Sequence, residues 1–344
     1  MKNKFARTGA IAALVCTQLV LSGCQSGGTT ARPRASVPAP TATPRAQYID
    51  LADRIAARKT TVWVEADLVK AWQKRGQRYD DVLNIAVKLA SRPGVVGIKI
   101  ADELGYHDGI DTPQQAGKFL AQASHDIRSR LPRTKILVDM IVPQLGCLAW
   151  VDKPATKSER SACATSAGKT SPAATIAAVD SYLKSKTIDV IDLSTGLRDT
   201  AEYSKWKTTP DEAMRAAWTE AIRRHWGTLV TLQARKAMAH PGSYTGGAAQ
   251  AKQELRTYVD IPLANGARAV DIWTWSQPYK GTTYRLFDPG LRSNPLIAGL
   301  ARRRAAGDPL FTHMTPSSLE VSPEADVAAA TAIFTNIFVA AGAG

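Results

Sequence analysis

The sequence predicts an α/β chain folded as a (β/α)8 barrel, with an open parallel α/β sheet as the alternative, and three observations carry that reading. Six short runs rich in β-branched and apolar residues, at 61–65, 95–103, 135–142, 188–194, 229–233 and 269–275, alternate with helix-like stretches at 79–91, 113–130, 172–186, 210–225, 248–264 and 293–305. Such alternation builds a parallel sheet, because parallel neighbours need a crossover long enough to hold a helix. Three of the helical stretches open with a hydroxyl residue followed by proline, at Thr112-Pro113, Ser171-Pro172 and Thr209-Pro210, the pattern of a capped helix start. Finally, residues 48–311 contain no second linker, and a stretch of roughly 265 residues suits a closed eight-stranded barrel. Six strands are two short, so 50–57 and 236–240 are the places where irregular strands would complete it. A dinucleotide-binding sheet would need a G-x-G-x-x-G turn at a strand end, and the sequence has none.

At the amino end, residues 1–23 combine a basic start (Lys2, Lys4, Arg7), an apolar run from Gly9 to Leu21 and small residues before Cys24, which are the three parts of an export signal. The run is too short for a permanent membrane span. Leu21-Ser22-Gly23-Cys24 resembles the lipobox of bacterial lipoproteins. That resemblance implies cleavage before Cys24, lipidation of its thiol, and a mature chain anchored to the membrane on its extracytoplasmic side. Residues 24–47 hold Pro, Thr, Ala and Arg with no acidic or aromatic residue, a composition that cannot bury enough surface to fold and reads as a tether.

The chain carries a formal charge of +14, of which three positive charges leave with the signal. Its lysines and arginines are scattered along helical stretches without a nucleic-acid-binding motif, so an acidic polymer or a lipid surface is the expected partner, not a nucleic acid. Cys147 and Cys163 are the cysteines left in the folded region. Outside the cytoplasm they should pair, tying down the insertion VDKPATKSERSA and stabilising the fold by ~3 kcal/mol in the chain-entropy account. Two cysteines without clustered histidines make too few ligands for a metal site, and no cofactor motif is present. The closing segment, 312–344, turns polar and then chargeless (VAAATAIFTNIFVAAGAG), and is expected as a tail outside the barrel, its apolar end docked as a helix.

Strand parity sorts the polar residues. In a parallel barrel the large apolar positions face the helices and the alternate ones face the axis. Val62 and Val64 therefore turn Trp63 and Glu65 inward, and Val96, Ile98 and Ile100 do the same for Lys99, Ala101 and Glu103. By the same reasoning Asp192, Ser194, Thr231, Gln233, Asp271, Trp273 and Trp275 face the axis, whereas Asp139 lies in a run apolar on both faces. The result is a set of carboxyl and amide groups, Glu65, Glu103, Asp139, Asp192 and Gln233, near the strand ends where barrel enzymes keep their active sites. A buried polar network, with Lys99 neutralising one acid, is the competing structural reading.

The strand ending Ile272-Trp273-Thr274-Trp275, with Tyr279 just beyond, resembles the late strands of glycoside-hydrolase barrels, and ADELGYHDG after the second strand resembles their acid-bearing strand ends. The resemblance covers short motifs only, and the Asn-Glu pair that many retaining members carry on the fourth strand is missing. It implies an anchored carbohydrate-active protein in which Glu103 is the proton donor and Asp192 or Asp139 its partner, with Glu65, Gln233, Trp273, Trp275 and Tyr279 contacting a carbohydrate substrate or envelope polymer. The alternative is a non-catalytic carbohydrate-binding or envelope-scaffolding lipoprotein.

Overall fold

The computed structural model describes residues 42–106, 108–148 and 157–341. The export signal, Cys24 and almost all of the expected tether lie outside these residues, as does His107 in the loop after the second strand.

Eight parallel strands close into a barrel. They are β1 (Thr61–Glu65), β2 (Val95–Ala101), β3 (Lys135–Ile141), β4 (Val190–Ser194), β5 (Thr231–Ala237), β6 (Val270–Trp273), β7 (Leu310–Met314) and β8 (Asn336–Ala340). Each pairs with the next in chain order, and β8 closes on β1 with Thr61 opposite Asn336 and Glu65 opposite Ala340. The closed (β/α)8 architecture is thus the one the alternation predicts, and the open sheet is excluded.

The two strands that complete the barrel are not where the sequence pointed. Residues 50–57 belong to a helix, Ala46–Ala57, and 236–237 merely extend β5. The missing strands are β7 and β8, inside the segment expected as a tail, which corrects the boundary at 311. In that segment Ser322 caps a short helix, Pro323–Thr331, that takes up the first half of the alanine-rich run. The second half is a strand with Ile337, Phe338 and Val339 buried. A chargeless run buried on both faces has no period to betray it, so strand and helix look alike.

Helix starts follow local chemistry. Thr112 and Thr209 each form a full capping box with a residue three positions on, Gln115 and Glu212. The third expected start differs: Pro172–Ala174 is a single 3-10 turn, and Thr175 caps the helix proper, Ile176–Lys184. The segments after β5 and after β6 meet outside the barrel in a three-stranded antiparallel sheet, His240–Pro241 from the first and Ser276–Tyr279 and Thr282–Arg285 from the second. Cys147 and Cys163 are joined, with Cα atoms 5.8 Å apart.

The lower half of the barrel is filled by Trp63, Leu137, Val190, Ala269, Phe311 and Phe338. Trp63, Phe311 and Phe338 pack with ring centroids 5.6–6.4 Å apart. Gly97 on β2 makes this possible, since a Cβ there would overlap the Trp63 ring. Among the described residues no helix is long and apolar enough to cross a membrane.

Candidate active site at the barrel mouth

Above that plug the same strands turn polar. Asp139, Asp192 and Gln233 lie side by side in register on β3, β4 and β5, and all three are buried. Arg235, two residues above Gln233, faces Asp271 on β6. Its guanidinium reaches Asp139 Oδ2 at 2.9 Å, Asp102 Oδ1 at 3.2 Å and Glu103 Oε1 at 3.4 Å. Lys99, on β2, donates to Glu65 Oε1 and Asp102 Oδ1, both at 2.9 Å. His313, on β7, stacks on Phe338 and bridges Glu65 (2.8 Å) and Asp271 (2.9 Å). One continuous network therefore links five carboxyls, Glu65, Asp102, Glu103, Asp139 and Asp271, to three cations.

Environment sets the protonation states. Burial alone would push His313 down, but Asp271 and Glu65 on its two ring nitrogens raise it to about 9, so it is an imidazolium at neutral pH. Lys99 resists its burial in the same way, lifted by Glu65, Asp102 and Asp139. Burial would raise Glu65, yet His313 and Lys99 hold it well below the usual carboxylate range. For Asp102, burial is likewise outweighed by Lys99 and Arg235, which depress it. Asp139 goes the other way: its complete burial outweighs Arg235 and Lys99 and raises it. Asp192 is raised by burial and then by the nearby Asp271. Asp102 and Asp139 thus meet the same two cations, Lys99 and Arg235, and are pushed in opposite directions, Asp102 down and Asp139 up.

The turn after β2 presents this chemistry to solvent. Glu103 has a left-handed backbone, φ 54°, which is strained for a residue with a Cβ. The turn is held by Asp139, whose Oδ2 accepts the Glu103 N–H at 3.3 Å and whose carbonyl accepts the Leu104 N–H at 2.8 Å. Asp108 caps the same loop by accepting the Gly105 and Ile110 N–H groups.

The expected site residues are thus only partly brought together. Glu65, Glu103, Asp139, Asp192 and Gln233 converge on the axis. Trp273 ends β6 on the inward face two residues above Asp271 and is partly exposed. Trp275 is buried, and its indole N–H donates to Asp326, which also accepts the N–H groups of Glu320, Val321 and Ser322. It anchors the segment before β8 and offers no open face. Tyr279 is half exposed on the outer hairpin with Lys280 over its ring. Two central residues were missed. Arg235 follows Gln233 by one step of the same parity, but β5 runs four residues past the expected strand end, to Ala237. His313 lay in the segment assigned to a tail. Among the described residues no group of three His, Cys, Asp or Glu is arranged to hold a metal ion.

No family model matches the chain, and no curated protein is a significant relative. Its resemblances are to solved structures at low identity. A 2,3-dimethylmalate lyase, a member of the PEP mutase/isocitrate lyase superfamily, is 15% identical with a TM-score of 0.41, covering 85% of this chain and 79% of that one. A putative phosphonomutase from Burkholderia cenocepacia J2315 is 15% identical at a TM-score of 0.39, covering 84% and 92%. A probable tagatose 6 phosphate kinase from Sinorhizobium meliloti 1021 is 13% identical at 0.45, covering 82% and 64%. Likenesses this distant carry no functional assignment to this chain.

The carbohydrate readings, catalytic and non-catalytic, are withdrawn. The geometry of the mouth overturns them. Both candidate partners of Glu103, Asp139 and Asp192, are wholly buried, so neither can face an acetal carbon or a water poised to attack it. Glu103 itself is turned toward Arg235.

Proposed function

We propose that the barrel mouth is an active site for general-acid chemistry on a small polar molecule, in which Asp102 touches the substrate and Asp139 supplies the proton from behind it. The observation that carries this is the pair itself. Two carboxyls that share Lys99 and Arg235 as neighbours are pushed in opposite directions, Asp139 up by its complete burial and Asp102 down by the two cations, which is how acid and base roles are divided among like groups. Asp102 is the solvent-facing member, with 47% of its side chain exposed. A proton passed from Asp139 to Asp102 reaches the mouth without exposing Asp139, and Arg235, which contacts both carboxyls, follows the charge as it moves.

Two measurements test this. Carboxyl carbon NMR should find Asp139 protonated and Asp102 ionised at neutral pH. A panel of small metabolites incubated in heavy water should show deuterium entering one class of substrate, with incorporation lost in Asp102→Asn. An ionised Asp139, or incorporation indifferent to Asp102, sinks the reading.

We further propose that the barrel is exported and lipid-anchored through Cys24. The joined Cys147–Cys163 pair supports this, since such bridges persist in oxidising compartments. Cells fed a clickable fatty acid should label the wild-type chain and leave Cys24→Ala unlabelled; equal labelling of both would end the proposal.

A further inference from the structure

What the mouth would bind follows from its outermost charges, given the reading of it as a small-molecule site. The side chains that meet solvent there are carboxyls: Asp102 is 47% exposed, Glu103 35% and Glu65 24%. The cations beneath, Lys99, Arg235 and His313, are 1%, 7% and 6% exposed, and each is already engaged. An incoming phosphate or carboxylate would meet the carboxyls first, and would have to draw a cation away from a buried partner, which is strongly unfavourable.

The hydrogen-bond inventory points the same way independently. Asp192 is completely buried, and neither of its oxygens has a partner. On the next strand, in register with it, buried Gln233 has an unpartnered Oε1. With Asp139 Oδ1, likewise unpartnered, these make four oxygens against one unpartnered donor in the same region, Arg235 Nε. Buried polar atoms left this way cost free energy until a donor reaches them. An anion would enlarge the surplus of acceptors, whereas a cationic group with N–H donors relieves both the charge and the hydrogen-bond imbalance. Trp273, partly exposed above Asp271, adds the aromatic face that cations favour.

We infer that the ligand carries an ammonium or guanidinium group, recognised by the carboxyl rim of Glu65, Asp102 and Glu103 and by the unpartnered oxygens of Asp192 and Gln233 below it. The test uses the full chain in detergent, titrated with agmatine, ethylenediamine, inorganic phosphate, malonate and erythritol, and followed by calorimetry and by NMR shifts of the mouth residues. Agmatine or ethylenediamine should bind, and Asp102→Asn should weaken that binding about tenfold. Glu103→Gln provides the same reading should Asp102→Asn fail to fold. Tighter binding of phosphate or malonate, lost in Arg235→Met, overturns the inference and leaves the mouth a site for anions. Equal binding of erythritol, or no mouth-localised binding by any probe, also overturns it. The acid–base reading stands or falls separately, on the protonation of Asp139.

Discussion

The lower and upper halves of the barrel interior are built by the same strands two residues apart, yet they are opposite in chemistry. Trp63 is followed by Glu65, Leu137 by Asp139, Val190 by Asp192, Ala269 by Asp271 and Phe311 by His313. One step along the inward face exchanges an aromatic and aliphatic plug for a buried ionic network. The plug gains free energy from burial alone. The network must offset the desolvation of its own charges by pairing them, so its net stabilisation is small or negative. A barrel that needed only stability would continue the plug upward. Charge concentrated at the C-terminal ends of the strands marks the half that serves function.

The comparison breaks first in the lower half. Trp63→Ala removes a buried ring that packs against Phe338 on the adjacent strand and Phe311 on the next, and should cost about 3–5 kcal/mol in denaturant unfolding. The Asp139 protonation state, read by NMR, should remain unchanged. A shift there would mean that the halves are not separable.

In the upper half the largest effect should come from Arg235→Met. It leaves Asp102, Asp139 and Asp271 without the cation that sits among them, and should cost roughly 3 kcal/mol at neutral pH. The loss should shrink at acid pH, where the abandoned carboxyls take up protons. A pH-independent loss would indicate packing, not charge.

His313 gives the next test. Its folded pKa, about 9, is raised above the ordinary imidazole value. Its contribution is therefore complete below the unfolded pKa of ~6.5 and is lost as pH rises through about 9, an effect on the order of 3 kcal/mol. Asp139 and Asp192, also raised, act with the same sign but begin in the carboxylate range. The difference between wild type and His313→Gln, measured across the alkaline range, isolates the imidazolium. Parallel stability curves would show that His313 is neutral in the fold.

The same two halves explain what the sequence could and could not reveal. Period-2 patterning located six strands, and parity placed Glu65, Lys99, Asp192, Gln233 and Asp271 on the axis, because outward Val, Ile and Leu residues mark the opposite face. It failed where the pattern has no contrast. The Ile337–Val339 stretch is apolar on both faces, and with β8 unseen, β7 and its His313 fell outside the expected domain. Pairing was illegible for another reason. That Arg235 lies among four acids, Asp102, Glu103, Asp139 and Asp271, is set by register between strands far apart in the chain, which no local pattern encodes. Reading the acids without Arg235 and His313 made them look free, and free acids beside tryptophans suggested sugar chemistry.

The smallest expected effect is the most discriminating. Asp192 is buried, raised by burial and by Asp271, and without a hydrogen-bond partner on either oxygen. Replacing it with Asn keeps the shape and removes a group that the fold alone does not need, so stability should change by less than about 1 kcal/mol, in either direction. If Asp192→Asn nevertheless weakens agmatine binding by at least about tenfold, the carboxyl is retained for its ligand at the expense of the core. A loss of several kcal/mol would instead make Asp192 a structural member of the network, and the distinction between a plug that stabilises and a mouth that recognises would have to be drawn higher up the strands.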